Sequence, residues 1–166
     1  RTDLEKFTKC VNLKITKTDA DDTSTKLSGA KFKIKIGTKY LATSGKKGEE
    51  VTGSSSGTYT YNNSKANATT YVTDNNGEIN LSNLKPQTYA VVETAAPSGY
   101  NLDKQTTDWG SKELKNGETI EFSGTNIKYG SLTINKVDAE DSTIKLNAGF
   151  KIKTSEGWLK GTNGNY

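Results

Sequence analysis

The sequence of 166 residues contains no histidine, and Cys10 is its only cysteine. Metal sites built from His and Cys, Ser-His-Asp triads and Cys-His dyads are therefore excluded, which removes most familiar hydrolase chemistry. A single cysteine cannot form an internal disulfide, so any covalent stabilisation must use other side chains. We expect Cys10 to be a packed or partly exposed thiol, with an intermolecular or redox role as the alternative.

Arginine is also scarce, because Arg1 is the only one among 23 basic residues, and the lysines are interleaved with 19 acidic residues. Without an arginine cluster or a basic-aromatic block, the formal charge of +4 does not indicate a nucleic-acid partner. No apolar run approaches the length of a membrane span, and no signal peptide is present. We therefore expect a soluble chain, mature or excised, with no membrane span.

Apolar residues make up only 31% of the chain, whereas glycine occurs 16 times. The length fits one ordinary domain plus a remainder, or two small domains. A core this poor in apolar residues is expected to need a constraint beyond hydrophobic burial.

Helical periodicity is nearly absent, and alternation of period two recurs along the chain. It predicts strands at 13–17, 31–36, 71–73, 89–93 and 119–122. Turn-forming residues separate them at 28–29, 44–45, 74–77, 97–99 and 116–117. Many short strands with such turns indicate an antiparallel sandwich or barrel. The segment 43–70, rich in Gly, Ser, Asn and Thr, is interpreted as a long surface hairpin, with a ligand-contact loop as the alternative.

The chain contains an internal repeat. The stretch 13–27, LKITKTDADDTSTKL, aligns without gaps with 132–146, LTINKVDAEDSTIKL, and eight of fifteen positions agree at a spacing of 119. A period of that length indicates a repeated domain rather than a solenoid unit. The sequence FKI follows in both copies, at Phe32 and at Phe150, one residue closer in the second. Within this sequence the second copy reaches only one or two strands.

Three polar residues are in phase with the apolar residues of their strands. Because side chains alternate across a strand, Lys17 shares a face with the aliphatic residues at 13 and 15, and Glu93 shares one with the apolar residues at 89 and 91. Asn126 continues the alternation of the last strand, and Lys136 repeats Lys17 in the second copy. Each could instead lie at a strand end and reach water, or Lys17 and Glu93 could form a buried ion pair beside Asn126.

Lysine, glutamate and asparagine in apolar contact have a specific chemistry available. A neutral lysine amine can attack the asparagine carboxamide carbon, expel ammonia and leave an amide between the two side chains. At pH 7 an ordinary lysine is neutral only about once in 2,500, so burial must lower its pKa by roughly three units. Burial also raises the pKa of a glutamate, which could then carry the proton from the amine to the leaving group.

These residues lie within recognisable motifs. The segments ITKTD, LSGAKF and NGEINLSNLKPQTYAVVETAAPSGY, and the final TNIKYG before a second LTINKVD, closely resemble the Cna B-type (SpaA-like) domains of Gram-positive surface adhesins and major pilins. The most specific element, VETAAPSGY, is similar to the family's E-box. The resemblance implies an all-β antiparallel sandwich of reversed immunoglobulin-like topology, with a partial second copy. It also implies an autocatalytic isopeptide bond between Lys17 and Asn126, with Glu93 as the catalyst.

The resemblance divides the chain into a leading segment 1–11, a Cna B-type domain 12–128, a junction 129–131 and the incomplete start of a second domain at 132–166. Two departures stand out in the second copy. The sequence LNAGF replaces LSGAKF, and Lys136, a possible second nucleophile, is followed by neither an E-box nor a final asparagine. The second copy is interpreted as a fragment, with completion by another chain through strand addition as the alternative. Neither an LPxTG-type sorting signal nor a Tyr-Pro-Lys pilin motif occurs, so the sequence does not support sortase-driven polymerisation.

The predicted function is that of a structural stalk or shaft module of an extracellular bacterial surface protein in the cell wall, with no external substrate, no cofactor and no metal. Its expected partners are neighbouring domains or pilus subunits. One alternative is an adhesin module whose 43–70 segment contacts host glycoprotein or matrix. The other is an enzyme, which would need a pocket exposing Glu93 beside a second carboxylate such as Asp103 or Asp108. Trp109 is interpreted as an aromatic cap on the core near the bond.

Overall fold

The computed structural model describes residues 9–102 and 107–161, and within them the chain is all-β. Contacts divide the chain into two units, Arg1–Tyr129 and Gly130–Tyr166. No helix in the described ranges has the length and apolar composition needed to cross a membrane. The strands are β1 (Val11–Asp19), β2 (Lys31–Ile36), β3 (Lys39–Thr43), β4 (Glu50–Thr52), β5 (Ser54–Ser55), β6 (Tyr59–Asn63), β7 (Thr70–Val72), β8 (Glu78–Leu84), β9 (Gln87–Ala95), β10 (Tyr100–Asn101), β11 (Asp108–Leu114), β12 (Thr119–Lys128), β13 (Lys153–Thr154) and β14 (Gly157–Trp158).

The strands of the first unit form two sheets. One sheet has the order β10-β12-β1-β8-β5, and the other has the order β11-β9-β2-β3-β6 with β4 and β7 attached beside β2. The predicted all-β sandwich is confirmed, although β1–β12, β4–β7 and β5–β8 are parallel pairs in an otherwise antiparallel arrangement. All five predicted strands are present, and most are longer than the alternation alone indicated. Alternation marks only the part of a strand that is buried on one face.

The first and last strands of this unit are neighbours and run parallel. Lys17 is paired with Gly124, and Asp19 with Asn126, at the end of the β1–β12 ladder. On its other side β1 pairs antiparallel with β8. Residues at opposite ends of the module's sequence therefore meet in one sheet.

The core lies between the two sheets and is made of side chains from both. Gly77 allows the turn before β8 to pass close to β1, since its φ is +70° and a Cβ there would lie 2.5 Å from the Lys17 carbonyl oxygen. The fully packed core residues are Val11, Leu13, Ile15, Ala30, Phe32, Ile34, Leu41, Tyr71, Ile79, Leu81, Leu84, Tyr89, Val91, Leu114 and Phe122.

The segment 43–70 is more closely built into the sandwich than a surface hairpin would be. β6 pairs antiparallel with β3, as in a hairpin, but β4 pairs parallel with β7, and β5 joins the opposite sheet beside β8. Asn63 is buried and donates from Nδ2 to the Tyr40 carbonyl oxygen at 3.0 Å. Thr69 is fully buried and donates to the Lys46 carbonyl oxygen at 2.7 Å. The interpretation as a simple surface hairpin is therefore wrong, because polar side chains tie the segment to the strands around it.

The second unit contains a loop that copies one in the first. In the first unit, Asp19 Oδ1 accepts hydrogen bonds from the amides of Asp21 and Asp22 at 2.8 and 3.2 Å. In the second, Asp138 Oδ1 accepts hydrogen bonds from two amides, those of residues 140 and 141, at 2.8 and 3.1 Å. An isolated bridge closes each loop, Thr18 with Lys26 and Val137 with Lys145. β13 and β14 follow as a short hairpin, so the repeated sequence forms the same local structure in both units.

Candidate functional site

The three residues that the alternation directs inward are all buried, with exposures of 0% for Lys17, 2% for Glu93 and 0% for Asn126. Lys17 lies in β1 and Asn126 in β12, which are neighbours in one sheet, whereas Glu93 lies in β9 of the opposite sheet. The site therefore spans the space between the two layers. The interpretation in which these side chains reach water at the strand ends is wrong.

Lys17 is held by two acceptors. Its Nζ donates to Glu93 Oε2 at 2.9 Å and to the Thr125 carbonyl oxygen at 2.8 Å. Thr125 directly precedes Asn126, so the amine lies against the backbone of the asparagine's own strand. Among the described residues Glu93 Oε1 has no hydrogen bond of normal length, while the side chains of Asn126 and Trp109 also stabilise the charged carboxyl.

Burial shifts both ionisable groups toward their neutral forms. Desolvation lowers the pKa of Lys17, and the hydrogen bond and charge of Glu93 oppose that change. Desolvation likewise raises the pKa of Glu93, opposed first by the hydrogen bond and charge of Lys17 and then by the two neighbouring side chains. Taking a charge out of water is more costly than a single partner repays. Both pKa shifts are therefore toward the neutral forms, the free amine of Lys17 and the protonated carboxyl of Glu93.

Trp109 closes one side of the site. Its ring lies 4.8 Å from Lys17 Nζ, and it packs edge-on against Phe32 with the ring centroids 4.9 Å apart. The indole covers Gly124, where a Cβ would come within 2.5 Å of the ring. Trp109 packs against the core, as an aromatic cap would, and Gly124, which is paired with Lys17, makes room for it. Its position near a bond stays a prediction.

The other candidate residues lie elsewhere. Lys136 is exposed in the second unit, and Cys10 is exposed just before β1. Asp108 is exposed, and Asp103 lies outside the described residues. Glu93, which the enzyme alternative would need to be accessible, is almost fully buried among the described residues.

Sequence reasoning missed two contacts of the site. The Thr125 carbonyl is a backbone acceptor, which leaves no mark in the sequence. Asp19, two residues after Lys17, is 2% exposed and accepts a hydrogen bond from the Tyr100 hydroxyl at 2.7 Å. Asp19 is in phase with Lys17 and is copied at position 138, so its pattern could have identified it as inward-facing.

Comparison with known domains places this architecture in a family. A family model described as the SpaA prealbumin-like fold domain matches residues 11–128. The chain belongs to the SpaA family. The resemblance inferred from the E-box and its flanking segments is thereby confirmed, and so is the β-sandwich. No curated protein sequence is significantly similar to the chain.

Solved structures of pilus proteins share the fold. The pilus 2b backbone protein of group B streptococcus is 27% identical with a TM-score of 0.55, and the match covers 70% of this chain and 40% of that one. The shaft pilin SpaA of Lactobacillus rhamnosus GG is 23% identical with a TM-score of 0.56, over 75% of this chain and 48% of that one. A minor pilin of Streptococcus agalactiae is 19% identical with a TM-score of 0.53, over 76% and 48%. The match thus spans less than half the length of each of these pilins.

Proposed function

We propose that the first unit is a structural shaft module of a Gram-positive surface pilus or adhesin, and that an amide between the side chains of Lys17 and Asn126 locks it. One observation carries the proposal. The amine of Lys17 is fully buried between the first and last strands, 2.9 Å from a buried carboxyl and 2.8 Å from the carbonyl that precedes Asn126. A buried ion pair is weak evidence for stability in itself, so a chemical role accounts better for its position.

The proposed reaction balances without a cofactor. Glu93 takes a proton from the Lys17 ammonium, and the freed Nζ lone pair attacks Cγ of Asn126. A second proton passes from Nζ through Glu93 to the carboxamide nitrogen, the C–N bond of the carboxamide breaks, and ammonia leaves. One proton stays on Glu93. The products are a Lys17–Asn126 amide, ammonia and a neutral glutamic acid, with no net charge left in the site.

Such a bond would carry force along a short covalent path. β1 and β12 are parallel neighbours, so tension applied to the two ends of the module pulls these strands past each other. With the amide in place, load entering at Val11 leaves at Lys128 through Lys17 and Asn126. The strands between Lys17 and Asn126 carry none of this load, so they cannot be pulled apart one after another.

The bond would also restrict the unfolded chain. Lys17 and Asn126 are 109 positions apart, and closing a loop of about 100 residues is worth up to ~4.7 kcal/mol by the chain-entropy model for disulfides. Unlike a disulfide, an amide is unaffected by reductants. A covalent closure of this size offsets the small apolar core that 31% apolar residues provide.

Intact mass spectrometry tests the bond. We expect the purified protein to weigh one ammonia less than its sequence, and Lys17→Ala and Glu93→Ala to restore the full sequence mass. Lys136→Ala is the matched control, because it removes the equivalent lysine of the second unit and should keep the loss of ammonia. A wild-type protein with the full sequence mass would overturn the proposal.

We infer that the module acts outside the cell, beside other subunits or domains of the same surface structure. The similar solved structures support this inference, since they are a pilus backbone protein, a shaft pilin and a minor pilin. Surface labelling of intact Gram-positive cells expressing the native gene tests it. Protection of the protein from an impermeant amine reagent would contradict an external location.

We also infer that residues 132–166 carry the opening elements of a second module of the same kind. The support is the copied loop, in which the amide of Asp138 donates to the residue 144 carbonyl oxygen at 2.9 Å, as that of Asp19 donates to the residue 25 carbonyl oxygen at 3.0 Å. In the chain itself, the Asp138 and Glu140 amides of the copied loop should then exchange slowly with solvent by nuclear magnetic resonance, as those of Asp19 and Asp21 should. Fast exchange in the copied loop alone would contradict the inference.

A further inference from the structure

A buried carboxylate lies beside the proposed bond. Asp19 follows Lys17 by two positions in β1, and its side chain is 3% exposed. Its Oδ1 holds the loop after β1, whereas its Oδ2 accepts a hydrogen bond from the Tyr100 hydroxyl at 2.7 Å and lies 3.5 Å from Lys128 Nζ. The proposed reaction does not use this carboxylate, so its burial needs another reason.

The cluster of Asp19, Tyr100 and Lys128 connects β1 and β12, the strands of Lys17 and Asn126, with β10. Asp19 belongs to β1. Tyr100 opens β10, directly after the turn that ends the E-box strand β9. Lys128 ends β12, two residues past Asn126, and is paired with Tyr100 across β10 and β12. A contact between Asp19 and Tyr100 therefore fixes three strand ends to one another.

The contact lies where the β1–β12 ladder ends. The pair of Asp19 with Asn126 is the last one in the register of the two strands, and the amide of Ala20 donates to the Asn126 carbonyl oxygen at 2.9 Å. Ends of secondary-structure elements open more readily than their centres. A slip by one residue would turn Asn126 to the other face of the sheet, and Asn126 lies at one of the two ends of this ladder.

Comparison of the two copies separates the loop hydrogen bonds of Asp19 Oδ1 from the hydrogen bond between Asp19 Oδ2 and Tyr100. Asp138 makes the same two loop hydrogen bonds through Oδ1, and within the described part of the second unit its carboxylate makes no others. The loop thus forms without a tyrosine. In the first unit the bond from Tyr100 to Asp19 Oδ2 is additional to the loop and can be removed independently.

We propose that Asp19 and Tyr100 are positioning residues for the reaction, and that their hydrogen bond holds the end of β12 so that the Asn126 carboxamide stays within reach of Lys17. The inference rests on the proposed function. Attack on the carboxamide carbon requires the reacting atoms about 3–3.5 Å apart, and a displacement of 1 Å can cost about a hundredfold in rate. A single hydrogen bond at the ladder's end is well placed to prevent such a displacement.

The charge state of the aspartate agrees with this role. The Tyr100 hydrogen bond, followed by the backbone amide of Asp21, holds the pKa of Asp19 below its ordinary value. Asp19 is therefore an ionised acceptor at neutral pH. Hydrogen bonds to a charged acceptor are stronger than those between neutral groups, which suits a residue that restrains a strand end.

Two conservative variants test the proposal in protein made by cell-free synthesis and aged at pH 7, with the loss of ammonia followed over time by intact mass. Tyr100→Phe removes only the hydroxyl, and Asp19→Asn keeps an oxygen for the loop amides. We expect each to slow the loss of ammonia by roughly ten- to a hundredfold. The double variant should be no slower than the slower single one, because both changes remove the same bond.

Asp22→Asn is the matched control. Asp22 accepts hydrogen bonds from Ser24 and Thr25 in the same loop, whereas the Tyr100 hydroxyl donates to Asp19, so the change at Asp22 should leave the rate unaltered. Unfolding curves in a Lys17→Ala background give the folded fraction of each variant without the bond. That fraction should remain near complete at the assay temperature, so that slower ammonia loss reports position rather than unfolding.

The outcomes are distinct. If wild type keeps its full sequence mass, the proposed function and this inference both fail. If wild type loses ammonia and the two variants lose it equally fast, only this inference fails. It also fails if the effects of the two changes multiply in the double variant, or if a reduced folded fraction accounts for the slower rate.

Discussion

Removing Lys17 and removing Glu93 should change the pH dependence of stability in opposite directions, because the two side chains form a buried pair. Lys17→Met leaves Glu93 alone in the site, and Glu93→Ala leaves Lys17 alone. Each change removes the partner that opposes desolvation, so the pKa of the remaining group moves further from its ordinary value. Neither variant can form the amide, so both unfold as open chains.

The direction in which the free energy of unfolding changes with pH follows from the difference between the folded and unfolded pKa values of each group. Glu93 in Lys17→Met has a folded pKa above the ordinary 4.5, so its contribution is fully present below pH 4.5 and is lost as the pH rises through the folded value. Lys17 in Glu93→Ala has a folded pKa below the ordinary 10.5, so its contribution is present above pH 10.5 and is lost as the pH falls through the folded value. Within each window the free energy of unfolding changes by about 1.4 kcal/mol per pH unit.

Urea unfolding between pH 4 and pH 10 measures both slopes. Other ionisable groups also titrate in this range, so each curve is compared with that of the double variant Lys17→Met/Glu93→Ala, which lacks both groups. We expect the difference curve to fall with pH for Lys17→Met and to rise for Glu93→Ala. Flat curves, or slopes of the same sign, would refute the view that the site favours neutral forms, and with it the reason for a reactive lysine.

Three further predictions concern packing and load. In chemical denaturation, Gly124→Ala should lower the free energy of unfolding by about 1–3 kcal/mol through overpacking, because the new Cβ would lie 2.5 Å from the Trp109 ring. Adding Trp109→Leu to this variant should relieve most of that loss. Gly77→Ala should destabilise more than Gly45→Ala in the same assay, since both glycines have positive φ but only at Gly77 would the Cβ meet backbone, 2.5 Å away; equal losses would contradict this. Under single-molecule force the Lys17→Ala module should extend by about 380 Å more than the wild type, at about 3.5 Å per residue, and a wild type that extends equally far would contradict the covalent path.

Strand periodicity was sufficient to predict which side chains of the site face inward. Lys17, Glu93 and Asn126 each follow apolar residues in phase, and alternation across a strand leaves no freedom about the face. Alternation does not reveal which strands are neighbours. The parallel pairing of β1 with β12 brings Lys17 and Asn126, the residues proposed to form the amide, into one sheet. It depends on contacts between distant parts of the chain and became visible only in the structure.

The segment 43–70 shows the opposite case. Its Gly, Ser, Asn and Thr content is typical of loops, yet Asn63 and Thr69 are buried because their side chains hydrogen bond to backbone carbonyls. Such bonds replace apolar contacts as the reason for burial. Hydropathy cannot detect them, so the sequence predicted an outlying hairpin where the structure has strands in both sheets. The proposal that this segment contacts host glycoprotein or matrix stays a prediction.

The energetics of the site disfavour the buried pair of charges, which the proposed reaction would remove. Lys17 and Glu93 have no exposed side-chain surface, and each buried ion costs several kcal/mol in lost solvation, which mutual attraction repays only in part. Formation of the amide converts the ammonium into a neutral group, releases ammonia and leaves a protonated carboxyl, so both charges disappear from the interior. The raised pKa of Glu93 stabilises that product. If the proposed reaction occurs, folding first places the two charges in the buried space between the sheets, and their removal would favour formation of the amide.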